Sequence, residues 1–133
     1  MKISQRPEPD QIQELLKGPA DTPVVMVNLL RFKQRAEGEE GSGTEAYGRY
    51  AERMQKIVEA GGGRFLFAAR IDSQVIGESD FPFDVIGLVE YPSRREFLQI
   101  VSSPEVAEIT GHRSAGLEGQ WLLASTQVSG VDE

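Results

Sequence analysis

Four short apolar segments, alternating with amphipathic ones, constrain this fold more than any other feature of the sequence. Val24 to Phe32, VVMVNLLRF, is a nearly continuous apolar run broken only by Asn28 and Arg31. A run this short and apolar on both parities reads as a strand buried on both faces. Arg64 to Ile76 reads as a long strand, with Phe65, Phe67 and Ala69 on one parity. Asp80 to Phe83, with Pro82, forms a turn, and Asp84 to Tyr91 (DVIGLVEY) is the next strand. Strands joined so closely should pair antiparallel as a hairpin. Leu117 to Val128 closes the series through Trp121, Leu122 and Leu123.

Helices separate these strands. Ser42 stands three residues before Glu45, a capping box, and behind it Tyr47, Tyr50, Met54, Ile57 and Val58 fall on one helical face. Gly61 to Gly63 end that helix. The glycines follow a helix, so they face carbonyl oxygens and the negative dipole end, which excludes a phosphate loop. Ser93 and Glu96 repeat the capping box ahead of Phe97, Leu98, Ile100 and Val101. Ser103 before Pro104 starts another helix, expected to reach about His112–Ala115 and stop at Gly116. A short brace at about residues 8–17, with Ile12, Leu15 and Leu16 at helical spacing, precedes everything. The glycine- and glutamate-rich stretch AEGEEGSG is the candidate mobile loop.

The order is a helix and then two strand–helix–strand units. Folded together, these make an α+β, ferredoxin-like βαββαβ antiparallel sheet with two main helices on one face, as one domain over residues 1–133. Right-handed crossovers put both helices on that face. The other face is then bare, yet strands so apolar on both parities cannot leave it wet. A second copy of the sheet is the simplest cover, so a homodimer is expected.

The 133 residues suit one domain, and 39% apolar side chains supply one core. A formal net charge of −7, with Lys and Arg dispersed, argues against nucleic-acid binding. There is no cysteine, which excludes disulfides, thiolate nucleophiles and Cys-based metal sites. One histidine, His112, excludes a multi-histidine metal site within the chain. The polar start MKISQRPEPD lacks the pattern of a signal peptide, and no apolar run reaches the roughly 18–20 residues of a membrane span. A cytoplasmic protein without metal or membrane contact is expected.

The stretches PVVMVNLLRFK, GGGR, DVIGLVEYPSRREF, SPE and HRSAGLE, in this order and spacing, resemble the domain of unknown function 1330 family. That family belongs to the dimeric α+β barrel superfamily. The resemblance covers most of the chain and implies a ferredoxin-like protomer that dimerises face to face. It implies no particular chemistry, because superfamily relatives include cofactor-free monooxygenases, isomerases and haem enzymes.

Asn28 is the most suggestive single residue, an amide within a buried strand that must be hydrogen-bonded. It either orients a ligand between sheet and helices or bonds a neighbouring loop or helix end. Tyr47 and Tyr50 each offer an aromatic body and a hydroxyl that wants a partner. His112 is suited to acid–base work, but no sequence-local carboxylate orients it, and a cation near a helix C-terminus is also favoured by the dipole. Arg113 beside it, and Arg64, are candidate ligand contacts. Asp84 is a candidate ionic partner, and Glu90 a candidate for internal pairing with Arg31 or Lys33; salt bridges at the dimer edge explain these residues equally well. The expected function is small-molecule binding, as a cofactor-free oxygenase or isomerase of a hydrophobic, oxygen-bearing substrate. His112 and Asn28 would then be catalytic, and Tyr47, Tyr50, Arg64 and Arg113 would contact substrate. The alternative is a non-catalytic ligand-binding or structural dimer.

Overall fold

Strands need partners, and the pairing of four of them organises the molecule. The computed structural model describes residues 3–80 and 82–129. Their elements run α1 (Pro9–Leu16), β1 (Val24–Phe32), α2 (Gly43–Ala60), β2 (Arg64–Arg70), β3 (Val85–Tyr91), α3 (Arg94–Val101), α4 (Pro104–Gly116) and β4 (Leu117–Ser125). The sheet order is β2-β3-β1-β4, antiparallel at every pairing. This is the ferredoxin-like arrangement that the two strand–helix–strand units require.

Alternation along β1 sets the two faces. Val24 and Met26 point into one cluster with Met54 and Val58 of α2, Phe97 of α3, and Val106 and Ile109 of α4. Both helical crossovers therefore cover the same face. Ser42 accepts from the Glu45 N–H while Glu45 accepts from the Ser42 N–H, the reciprocal cap read from the sequence. Ser93 and Ser103 cap α3 and α4 by accepting from the N–H groups of Glu96 and Val106. The brace α1 packs on α3, with Arg94 donating to the Leu15 carbonyl at 3.2 Å.

Three expectations need correction. The second strand ends at Arg70, not Ile76, because its partner β3 begins at Val85, opposite Arg70. One further backbone hydrogen bond, from the Ile71 N–H to the Asp84 carbonyl at 2.8 Å, closes the pairing, and Val75 and Ile76 stand in solvent. A long connection thus replaces the tight turn, and Phe81 lies outside the described residues. Phe65 and Phe67 do not share a face either. A bulge between them inserts Leu66, so Phe65 pairs with Val89 on the core side while Phe67 pairs with Leu88 on the other. The last strand stops at Ser125, where its pairing with Val25 ends.

The loop after β1 is tied down instead of hanging free. The Lys33 and Glu37 N–H groups donate to the carbonyls of Gly116 and Ala115, closing the C-terminus of α4. The chain start does a similar service for the edge of β4, where Ser4 and Gln120 exchange backbone hydrogen bonds.

Candidate functional site

Asn28 lies on the core-facing parity of β1, directly opposite Gly87 of β3. Its amide nitrogen donates to the carbonyls of Met26 at 3.3 Å and Gly87 at 3.4 Å. Its oxygen accepts from the Gln120 amide at 3.3 Å. Asn28 is thus engaged by strands of its own sheet, not by the loop or helix end that the structural alternative expected. Gln120 in turn accepts from Arg113 of α4, whose same terminal nitrogen donates to the Gln5 carbonyl at 2.8 Å. A polar chain runs from the middle of the sheet to the helix layer.

Beside that chain stands an aromatic row. The ring of Phe32 lies 5.3 Å from Tyr47, and Tyr47 lies 5.4 Å from Tyr50. The end of α4 presses on the Tyr47 backbone at Gly116, one turn beyond Arg113. Burial pushes the phenols of Tyr47, Tyr50 and Tyr91 upward; Tyr47 and Tyr50 each raise Tyr91, and the positive charge of Arg113 partly offsets the rise at Tyr47 and Tyr50. All three stay protonated donors at neutral pH. None of their hydroxyls hydrogen-bonds within the described residues, where no buried polar side-chain atom lacks a partner. The hydroxyls therefore open onto space that water reaches. Phe32 also lines an open cleft of about 430 Å³, together with Lys33, Thr44, Arg70 and Asp84, which adjoins the aromatic row.

His112 is elsewhere. Its Nδ1 meets both carboxylate oxygens of Glu39 at 3.0 Å, and Arg49 donates to the same carboxylate at 2.9 Å. Sequence reasoning found no orienting carboxylate because Glu39 is 73 residues away. A carboxylate only accepts, so Nδ1 carries the proton, and Nε2 holds the lone pair when the ring is neutral. No hydrogen bond joins this group to the Asn28–Gln120–Arg113 chain.

The Arg49 hydrogen bond, and then that of His112, hold the Glu39 carboxyl below its ordinary value of 4.5. A depressed carboxyl stabilises the fold above its unfolded value and loses that contribution as pH falls through the folded one. The stability gap between wild type and Glu39→Gln should therefore be open at neutral pH and close on acidification below about 4.5. Thermal melts across that range check it, and a gap independent of pH rejects the assignment.

Arg64 is not brought to this site. It pairs with Glu90 at 3.1 Å on the sheet face away from the helices. This corrects the expected Glu90 partners, since Arg31 pairs with Glu118 and Lys33 with Glu37. Cross-strand register brings Arg64 and Glu90 opposite each other, which sequence separation hides. Asp84 accepts from the Phe32 N–H at 2.9 Å and anchors the strand ends. Tyr91, Gln120 and Glu39 are the residues that sequence reasoning missed. Strand parity with Val89 was a usable signal for Tyr91; the other two carry none. Among the described residues no group of three or more His, Asp or Glu side chains is placed to hold a metal ion, and no helix is long and apolar enough to cross a membrane.

Sheet order, helix placement and chain path define a ferredoxin-like α+β protein. The sequence profile of the domain of unknown function (DUF1330) matches residues 41–127, and the chain belongs to that family. No curated protein matches the sequence. A protein of unknown function from Rhodopseudomonas palustris, a structural genomics target, superposes with a TM-score of 0.85 at 25% identity, covering 97% of this chain and 100% of that one. SnoaB, a cofactor-independent oxygenase from Streptomyces nogalater, gives 0.52 at 14% identity over 84% of this chain and 99% of its own. A dabb family protein with a ferredoxin-like fold from Mesorhizobium loti also gives 0.52 at 14%, over 80% and 98%. At that identity the likeness concerns the fold alone.

Proposed function

We propose that this protein is a homodimer that binds a small, hydrophobic, oxygen-bearing molecule against Tyr47, Tyr50, Tyr91 and Arg113. The observation that carries this reading is the set of three phenol hydroxyls without protein partners, Tyr47 and Tyr50 beside the Arg113 guanidinium and Tyr91 beside those two. A ligand oxygen that displaces water from these hydroxyls gains their donors, while the rings hold its apolar part. The same donors would stabilise negative charge developing on a carbonyl oxygen, the requirement of cofactor-free oxygenation or of isomerisation through an enolate. Such chemistry needs a base as well. His112 stands in a separate hydrogen-bonded group, so ligand binding is the part of the reading that the geometry supports best.

The dimer half rests on the sheet face opposite the helices. Leu123, Val27, Leu88 and Phe67 form one row across all four strands, and Trp121, Leu29, Ile86 and Ala69 form the next. The ion pairs Arg31–Glu118 and Arg64–Glu90 border these rows. An apolar centre with a charged rim is the anatomy of an interface.

A thermal-shift screen of hydrophobic ketones, quinones and carboxylic acids tests the binding reading. Binders should raise the melting temperature of wild type, by the equivalent of about 2.7 kcal/mol at a hundredfold excess over Kd. Tyr50→Phe, which removes one hydroxyl and little volume, should weaken them about fivefold to tenfold. Hits that bind Tyr50→Phe as tightly as wild type would place the ligand elsewhere.

A further inference from the structure

Arg113 is a half-buried cation without an anion. Arg31, Arg49 and Arg64 pair with the carboxylates of Glu118, Glu39 and Glu90, whereas Arg113 has no acidic partner among the described residues. Both of its hydrogen bonds leave from one terminal nitrogen, and both end on neutral amide oxygens, those of Gln5 and Gln120. A guanidinium carries five N–H donors. The other terminal nitrogen and Nε therefore have donors to spare, and neither is sealed off, because no buried polar side-chain atom lacks a partner.

The neighbouring groups tilt the balance the same way. Tyr47 and Tyr50 add hydroxyl donors, whereas the nearby oxygens of Asn28, Gln120 and Gln5 each already accept a hydrogen bond. The side chains around Arg113 thus offer spare donors and one unmatched positive charge, inside a protein of net charge −7. A neutral carbonyl would satisfy one or two donors and leave the charge unmatched. A carboxylate, with about four lone-pair sites, satisfies several and neutralises it. Phe32 and the tyrosine rings supply an apolar wall for the remainder of such a molecule.

Resting on the binding site proposed above, we infer that its ligand is a hydrophobic carboxylate, held by the spare N–H groups of Arg113 and the tyrosine hydroxyls. The charge of Arg113 selects acid over ester, and the aromatic row accepts the hydrocarbon part.

Matched pairs separate this inference from the reading beneath it. Benzoate, 2-naphthoate and decanoate, each beside its methyl ester, are titrated calorimetrically into the full chain. Wild type should bind at least one acid about tenfold or more tightly than its ester. Arg113→Gln should erase that preference, and Arg113→Lys should keep part of it. Tyr50→Phe, with the charge intact, should weaken acid binding while preserving the preference, a readout independent of how well the Arg113 variants fold. Esters that match their acids on wild type, or a preference that survives Arg113→Gln, would overturn the carboxylate while leaving a ligand site. If no acid or ester binds and the wider screen is also empty, both readings fall.

Discussion

Gly43→Ala and Gly116→Ala are each expected to destabilise the protein severely. A Cβ at Gly43 would stand 1.9 Å from the Lys33 carbonyl oxygen and 2.7 Å from that of Gly116. One at Gly116 would stand 2.2 Å from the Gly43 oxygen and 2.7 Å from the Tyr47 nitrogen. These neighbours are backbone, so no side-chain rotation relieves the clash. The start of α2, the end of α4 and the loop after β1 must separate instead, and the Lys33–Gly116 hydrogen bond of 2.8 Å goes with them. Overpacking of this kind costs about 3 kcal/mol or more. For a chain of this size that lowers Tm by roughly 10–15 °C. Gly48→Ala and Gly111→Ala are the controls, since a Cβ at either meets nothing within 4 Å and both lie inside helices. Each should stabilise by about 0.5–1 kcal/mol. Melts of the four variants measure the contrast, and four similar shifts would show that the close approach does not govern stability.

The second large effect concerns assembly. Light scattering behind size exclusion should report twice the chain mass of 14.7 kDa for wild type. Phe67→Glu and Leu123→Glu should each shift the protein toward monomer. The two side chains are 53% and 49% exposed in the protomer, so a charge there costs the isolated chain little. Pressed against a second apolar sheet, the same carboxylate loses its water without gaining a partner, weakening association by about a hundredfold or more. Tyr50→Phe, on the opposite side of the sheet, should leave the mass unchanged. A monomeric wild type at micromolar concentration would sink the interface.

Asn28 and His112 show how far the sequence could be read as a site. Both stood out by type, an amide in an apolar strand and a lone imidazole. Asn28 could not be given Gln120, nor His112 its Glu39, because these come from 92 and 73 residues away. Arg113 was named beside His112 as one of a pair, yet neighbours on a helix point about 100° apart. One reaches the sheet through Gln120, and the other reaches the loop through Glu39.

Local chemistry was enough for much of the fold. Serine caps, one of them reciprocal, proline and glycine stops, and apolar runs of strand length placed β1, α2 and the start of α4, and their order left the ferredoxin-like sheet as the simplest solution. These signals are legible because each depends on residues within a turn or two of one another. Tertiary structure alone decided where β2 ends, how a bulge sends Phe65 and Phe67 to opposite faces, and which carboxylate holds His112. It also brought Tyr47 and Tyr50 beside an arginine without a carboxylate partner. Each of these depends on the register of strands and helices distant in sequence, a quantity no local pattern encodes.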